Sequence, residues 1–301
     1  MLPITVFTAT YNRKDTLERL YISLTQQTCM EFEWIVIDDE SSDLTQKFMN
    51  KIQHSDNLFS IFYVKQEHGG KHRAINKGIL LAKGRYFFIV DSDDYLLPQS
   101  IETVKKWIDM IEGREDLAGV SGLKVYPDGN ITGEHPDIRK DAFIEASNLE
   151  RYRLKLNGDK AEIYRTKVLR NYPFPEIQGE YFMTERICWD AIAADGYKLR
   201  WYNTPIYVCE YLEDGLSRSG SNLLNGHLSN FHGYSLFIKQ ALKVCEISER
   251  VTFFREYNKT AKKKRMLLKQ RANNIGMGIK RYLLYCWFVV PLGYLKRFCI
   301  R

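Results

Sequence analysis

The sequence predicts an α/β fold: an open, mostly parallel sheet flanked by helices, with a C-terminal helical, basic extension. Three observations carry this. Over the first 125 residues, short apolar runs alternate with segments of helical periodicity, the pattern of strand–helix–strand crossovers. The run Tyr86-Phe87-Phe88-Ile89-Val90 is apolar without alternation, as a strand buried on both faces must be. Beyond residue 257 the chain becomes helical in pattern and wholly basic in charge.

Taken in order, Ile4-Thr5-Val6-Phe7-Thr8 reads as a first buried strand, and Leu17, Leu20, Tyr21 and Leu24 then recur at helical spacing. Trp34-Ile35-Val36-Ile37 is a second strand, closed by the polar knot Asp38-Asp39-Glu40-Ser41-Ser42-Asp43. Leu58–Val64 is a third. Gly69-Gly70 follows, and then a helix carrying Ala74, Ile75, Gly78, Ile79 and Ala82. Tyr86–Val90 is the fourth strand and Ile101–Ile111 the next helix. The rhythm loosens after the turn cluster Pro127-Asp128-Gly129-Asn130. Glu185–Ala194 is helical in pattern, Leu199–Glu210 extended and broken by Pro205, and Leu236–Arg271 helical and increasingly basic.

With 45% hydrophobic and 27% charged residues, the 301-residue chain can bury a core and is not disordered by composition. Its net charge of +7 is uneven. Residues 257–301 hold 12 basic and no acidic residues, which leaves 32 basic against 37 acidic elsewhere, a net of −5. The opening Met1–Val6 enters strand-like sequence directly, so no secretory signal is expected. Six scattered cysteines form no CxxC pair, which argues against zinc and redox motifs and fits reduced thiols. The longest uncharged apolar run, Tyr282–Leu295, has 14 residues and contains Pro291. A spanning helix needs about 20.

In an open parallel sheet, ligands bind at the carboxyl ends of the strands. Three such ends are unusually polar here: Thr8-Ala9-Thr10-Tyr11-Asn12-Arg13, Asp38-Asp39, and Asp91-Ser92-Asp93-Asp94. Three carboxylates within four residues repel one another unless something positive neutralises them. A hard divalent cation, Mg²⁺ or Mn²⁺, does so and shares its shell with substrate phosphates. Gly69-Gly70, followed by Lys71, His72 and Arg73, offers glycine backbone and positive charge to an anion. Neither a Walker loop nor a GxGxxG fingerprint occurs.

These segments, taken together, resemble family 2 glycosyltransferases of the GT-A type, and Gly158–Arg165, Tyr172–Pro175 and Glu180–Trp189 resemble the subgroup acting on bacterial surface polysaccharide. Val6–Arg13 is similar to the family's opening strand and TYNR turn, and Ile37–Asp43 to its DDxSxD segment. Gly70–Gly78 and Ala82-Lys83-Gly84 resemble its approach to the metal motif, and Asp91–Asp94 the DxD motif itself. The resemblance implies a Rossmann-like GT-A catalytic domain over 1–235, with a nucleotide-sugar half (1–125) and an acceptor half (126–235). The helical, membrane-associating extension would be 236–301. It implies that Thr8, Ala9, Tyr11 and Arg13 line the nucleotide pocket, that Asp39 accepts from the uracil ring, and that Lys71 sits near the base or diphosphate. Asp91 and Ser92 would join the nucleotide-sugar side, and Asp91 and Asp93 the metal. Inverting transfer of a single sugar from a UDP-sugar to a hydroxyl of a saccharide acceptor, polyprenyl-linked, is the implied reaction. No Gln-x-x-Arg-Trp motif of the processive synthases is present.

The family's adjacent Glu-Asp near the base is here Glu185-Arg186, so Glu185 is the expected catalytic base, with Asp190 and then Glu180 behind it. Tyr211–Ser217 is expected as an acceptor-side loop. His227 and His232, at i and i+5, are poorly spaced for a metal. The basic clusters and aromatic run of 257–301 suit the anionic inner face of the cell membrane, giving a cytoplasmic, peripherally attached enzyme and no nucleic-acid partner. Two rivals remain at this point: a haloacid-dehalogenase-type phosphatase and a non-catalytic membrane-bound nucleotide-binding scaffold. The first uses DxD on its first strand, whereas here it follows the fourth.

Overall fold

The structure is a computed structural model that describes residues 2–139, 142–210 and 227–289, with the side chains of 288 and 289 left aside. The Tyr211–Ser217 turn and residues 290–301 lie outside the described residues. Two compact units are distinguished: residues 1–174 with 192–213, and residues 175–191 with 214–301.

The first unit is built on a nine-stranded sheet. Strands β1 (Ile4–Thr10), β2 (Phe32–Asp38), β3 (Ser60–Lys65) and β4 (Tyr86–Ile89) come first, with helices α1 (Lys14–Thr25), α2 (Thr45–Gln53) and α3 (Lys71–Leu81) between them. Strand β5 (Tyr95–Leu96), helix α4 (Ser100–Asp109) and strands β6 (Leu117–Val125), β7 (Phe143–Ala146) and β8 (Lys160–Arg165) follow. Short helix α5 (Thr166–Leu169), helix α6 (Arg186–Ala194) and strand β9 (Lys198–Val208) come next in the chain. The strand order is 3-2-1-4-8-6-9-5, with β7 beside β9. β1–β4 are mutually parallel, β8 runs against β4 and β6, β9 is parallel to β6, and β5 and β7 oppose β9. Six of the nine strands therefore share one direction, as a mostly parallel sheet requires.

The central strands are buried because helices cover both faces. All seven residues of β2 and six of seven in β1 are shielded from solvent. Each large apolar side chain so buried contributes about 1.5–3 kcal/mol. Of the two carboxylates in this layer, Glu33 and Asp38, Glu33 is held by three donors. Its Oε1 accepts from Thr5 Oγ1 at 2.6 Å and from the backbone N–H groups of Lys83 and Gly84 at 2.6 and 3.1 Å. The Ala82-Lys83-Gly84 segment is thereby fixed at the entry to β4. A Cβ on Gly84 would come within 2.3 Å of the Thr5 nitrogen, so only glycine fits.

β6, β7 and β8 were not legible as strands in the sequence. β6 contains Gly119 and Gly122, which lower strand propensity. Both are needed for close approach: a Cβ at 119 would meet Ile163 O at 2.0 Å, and one at 122 the Ile206 side chain at 2.7 Å. Pro205 does not end β9 either. It faces Leu123 where the β6–β9 register shifts, a point at which its missing N–H is tolerated.

In the second unit, helices α7 (Phe231–Val244), α8 (Ile247–Lys263), α9 (Leu268–Asn274) and α10 (Ile279–Leu284) pack around Phe231, Phe254, Tyr257 and Tyr282. The 175–191 segment joins them through its polar groups. Glu180 Oε1 and Oε2 accept the His232 and Gly233 N–H groups, each at 2.7 Å, so this buried carboxylate caps the start of α7.

Candidate active site

The polar ends of β1, β2 and β4 and the turn before α3 come together in the first unit, and each is locked by its neighbours. Asn12 lies in the left-handed region with φ 51°. Its Oδ1 accepts from Ser42 N at 2.8 Å and Asp43 N at 3.3 Å, and its own N–H donates to Ser41 Oγ at 2.9 Å. The TYNR turn and the DDxSxD knot are therefore one laced structure. Asp38 is buried in it, accepting from Ser41 N at 2.7 Å and from the Tyr63 hydroxyl at 2.6 Å.

Asp39 reaches across to the glycine turn. Its Oδ1 accepts from Gly69 N and Gln66 Nε2, and its Oδ2 from Gly70 N, all at 2.8 Å, with His68 Nδ1 2.9 Å from Oδ2. A carboxylate has about four lone-pair sites, so a uracil N–H would have to displace one of these donors. Gly70 sits at φ 89°, a conformation glycine adopts without strain, and this turn sets the first residue of α3, Lys71, beside the DxD turn. Tyr11 is half exposed and its ring lies 4.9 Å from that of His68. Ala9 is partly open at the end of β1. Thr8 is fully buried and its Oγ1 accepts from Trp34 Nε1 at 3.1 Å, so its side chain braces the sheet. Arg13 stands at the start of α1, where its carbonyl accepts from Leu17 N.

The DxD turn follows β4. Lys71 Nζ lies 2.5 Å from Asp91 Oδ1, and Lys124 Nζ, from β6, 3.9 Å from Oδ2. Desolvation works against the Asp91 charge, but the two lysines outweigh it and hold this carboxyl below its ordinary value. Asp93 is pushed the other way, first by desolvation and then by the Asp91 charge. Burial and the Asp91 charge push Asp94 up to about 7. Ser92 is buried between them. Sequence reasoning did not find Lys124, Tyr207, Arg19 or Glu210 here. Tyr207 receives the Asp91 N–H at 2.9 Å and donates to Asp94 Oδ2 at 2.7 Å. Arg19 pairs with Glu210 at 2.6 Å and donates to the Asp93 carbonyl at 2.5 Å. All four come from elements far away in sequence, and no local signal marks them.

Among the described residues, no group of three or more His, Cys, Asp or Glu is arranged to hold a metal ion. A cation that completes its shell with diphosphate oxygens and water needs only one or two carboxylates. Asp91 and Asp93, two residues apart on this turn, would be the carboxylates of such a set. The unfavourable charge on Asp93 is the kind a cation relieves, so the residues fit.

In the second unit, Glu185 is half-buried immediately before α6, and its carbonyl accepts from Cys188 N and Trp189 N. Asp190 is fully buried, with Oδ2 3.1 Å from Arg186 Nη2 and near the Cys245 thiol.

Residues 5–173 match the family model for glycosyl transferase family 2. The chain belongs to this family. A glucosyltransferase of Escherichia coli, the UDP-Glc:alpha-D-GlcNAc-diphosphoundecaprenol beta-1,3-glucosyltransferase WfaP, is 30% identical over 201 residues, covering 65% of this chain and 72% of that protein. The GalNAc(5)-diNAcBac-PP-undecaprenol beta-1,3-glucosyltransferase of Campylobacter jejuni is 27% identical over 190 residues. That alignment covers 63% of this chain and 59% of that protein's length. Among solved structures, Staphylococcus aureus TarS 1-349 in complex with UDP-GlcNAc superposes with a TM-score of 0.57 at 19% identity, covering 94% of this chain and 90% of that one. A mannosyltransferase from Pyrobaculum calidifontis in complex with GDP-Man and Mn2+ gives 0.53 at 15% identity, covering 97% and 84%. These likenesses establish the GT-A fold for the glycosyltransferase described here. The phosphatase alternative is excluded with the family.

Proposed function

We propose that this family 2 glycosyltransferase transfers a single sugar from a UDP-sugar to a hydroxyl of a polyprenyl-linked saccharide, with inversion, in surface polysaccharide synthesis. One observation carries the reading. The Asp39-held glycine turn sets Lys71 against Asp91, so a basic group, two carboxylates and the β1 end meet where a nucleotide diphosphate would bind. The relatives named above, whose names specify UDP-Glc and undecaprenol-linked saccharides, support the choice of donor and acceptor.

In this reading, Tyr11, Arg13 and the Asp39 turn orient the nucleotide, and Lys71 exchanges Asp91 for diphosphate oxygens. Asp91 and Asp93 would hold Mg²⁺ or Mn²⁺, which supplies charge stabilisation for the departing diphosphate. Glu185 takes the proton of the acceptor hydroxyl as its oxygen bonds to the sugar C1 and the bond from C1 to the β-phosphate oxygen breaks, releasing UDP. Glu185 is preferred to Asp190 because Asp190 is fully buried and ion-paired.

Attachment to the inner membrane face belongs to the same proposal. No helix of the described residues is long and apolar enough to cross a membrane. Ile279, Leu283, Leu284 and Trp287 are exposed beside the exposed Lys280 and Arg281, with Trp287 71% open. An apolar strip with a basic margin suits an interface of anionic lipid.

Thermal-shift titration of the full chain with UDP, GDP and their sugars, each with and without Mn²⁺, tests the donor. Stabilisation by UDP compounds that Mn²⁺ enhances is expected. Stabilisation by GDP compounds alone would overturn the choice of donor.

A further inference from the structure

Beyond the Asp94 N–H that donates to the Asp91 carbonyl at 3.1 Å, side chains from distant elements tie the DxD turn through one connected set of bonds. The Tyr207 hydroxyl accepts the Asp91 N–H at 2.9 Å and donates to Asp94 Oδ2 at 2.7 Å. Asp94 Oδ1 accepts the Glu210 N–H at 3.1 Å. The Glu210 carboxylate pairs with Arg19 Nη1 at 2.6 Å, and Arg19 Nη2 returns to the Asp93 carbonyl at 2.5 Å. Tyr207 itself is fully buried, so its ring cannot swing out. Lys124, its register partner across β6 and β9, lies 4.0 Å over that ring. The guanidinium of Arg19 lies 5.1 Å over the Tyr95 ring.

Neither Tyr207 nor Arg19 donates to the carboxylate of Asp91 or Asp93 in this circuit. They grip the backbone on either side of those side chains. A turn held in this way meets a cation without first ordering its own backbone, an entropic cost that binding would otherwise bear.

We infer that Tyr207 and Arg19 are positioning residues that preset the Asp91–Asp94 turn for a divalent cation. The inference rests on the metal reading proposed above and extends it to residues that do not touch the ion.

The test is Mn²⁺ binding to the full chain in the presence of UDP, followed by electron paramagnetic resonance of the free ion. It compares the parent chain with Tyr207→Phe and Arg19→Gln. Tyr207→Phe removes the ties to Asp91 N and Asp94 Oδ2, Arg19→Gln those to Glu210 and the Asp93 carbonyl, and both keep the Asp91 and Asp93 carboxylates. We expect the Mn²⁺ dissociation constant to rise about tenfold in each, the order expected for lost intramolecular hydrogen bonds. The activation constant for Mn²⁺ should rise in parallel, with kcat at saturating Mn²⁺ falling much less. UDP affinity measured in chelator should stay within twofold of the parent. Should Tyr207→Phe fail to fold, Arg19→Gln, a partly exposed position, decides alone. Variants that melt at lower temperature yet bind Mn²⁺ like the parent would overturn the inference and leave the metal reading intact. A parent chain that binds no Mn²⁺ would overturn both.

Discussion

Lys71 Nζ and Asp91 Oδ1 are 2.5 Å apart, and this ion pair joins the glycine turn to the DxD turn. It is a third exposed on each side, so its own contribution to stability is small. In the proposed reading its consequence is for binding, because the ammonium would pass from Asp91 to the diphosphate. Lys71→Met should weaken UDP binding about tenfold or more, a loss of about 1.4 kcal/mol, while the melting temperature stays within a few degrees. Calorimetric titration with UDP in chelator checks this. Unchanged affinity would remove Lys71 from the nucleotide site.

Asp93 carries a charge that its surroundings disfavour, through desolvation and the neighbouring Asp91. A residue kept at such a position serves function at some expense of stability. Asp93→Ala should lower transfer by about 10²–10³-fold, the scale of losing one electrostatic stabiliser. In chelator its melting temperature should equal or exceed that of the parent. A variant with near-parental turnover would remove Asp93 from the metal set.

Glu185 and Asp190 make opposite predictions. Glu185→Gln should reduce kcat by about 10²–10⁴-fold, the range of general-base catalysis, with UDP affinity unchanged. Asp190→Asn removes one of two carboxylate partners of Arg186, which keeps Glu249 at 3.2 Å, and should cost about 1–3 kcal/mol of stability. Loss of kcat in a stably folded Asp190→Asn, with Glu185→Gln fully active, would reverse the assignment.

Glu180 is a cap in this structure. Glu180→Gln keeps one carbonyl acceptor but turns an NH₂ toward the His232 or Gly233 N–H. The loss expected is about 1–2 kcal/mol, read by chemical denaturation of the chain. A stability equal to the parent's would show that this carboxylate is not needed at the helix start.

The basic tail is tested on vesicles. Replacing both Lys280 and Arg281 by Ala removes about 1 kcal/mol each of attraction to anionic lipid, about thirtyfold in partitioning together. Flotation with vesicles containing anionic lipid measures it, and partitioning that does not change would contradict the membrane proposal.

Much of this molecule was legible in its sequence because the first half repeats one rule. Buried parallel strands leave continuous apolar runs such as Tyr86–Val90, and their polar ends stand out by contrast. Those ends, at Thr10, Asp38 and Asp91, do converge with the turn before Lys71. β6 was hidden by the two glycines that let β8 and Ile206 approach. Lys124 and Tyr207 were hidden for a related reason: each is an unremarkable strand residue until the register of β6 and β9 sets them side by side at Asp91. The DDxSxD motif marks Asp39 in the sequence. Its four donors from the 66–70 turn depend on a loop closing across about thirty residues, which spacing alone does not reveal. The division of charge was plain in the sequence. Which apolar residues of the tail stay exposed was not, because Tyr282 turns inward while Leu283, Leu284 and Trp287 face out.

The central claim is metal-dependent transfer from a UDP-sugar to a lipid-linked acceptor. The most direct measurement incubates the full chain with a panel of UDP-sugars, Mn²⁺ and polyprenyl-diphosphate-linked saccharides, and follows UDP release together with the anomeric configuration of the product by NMR. One sugar added per acceptor is expected, with the anomeric centre inverted and turnover abolished by chelator. A product that retains the donor's configuration, or turnover undiminished by chelator, would contradict that claim.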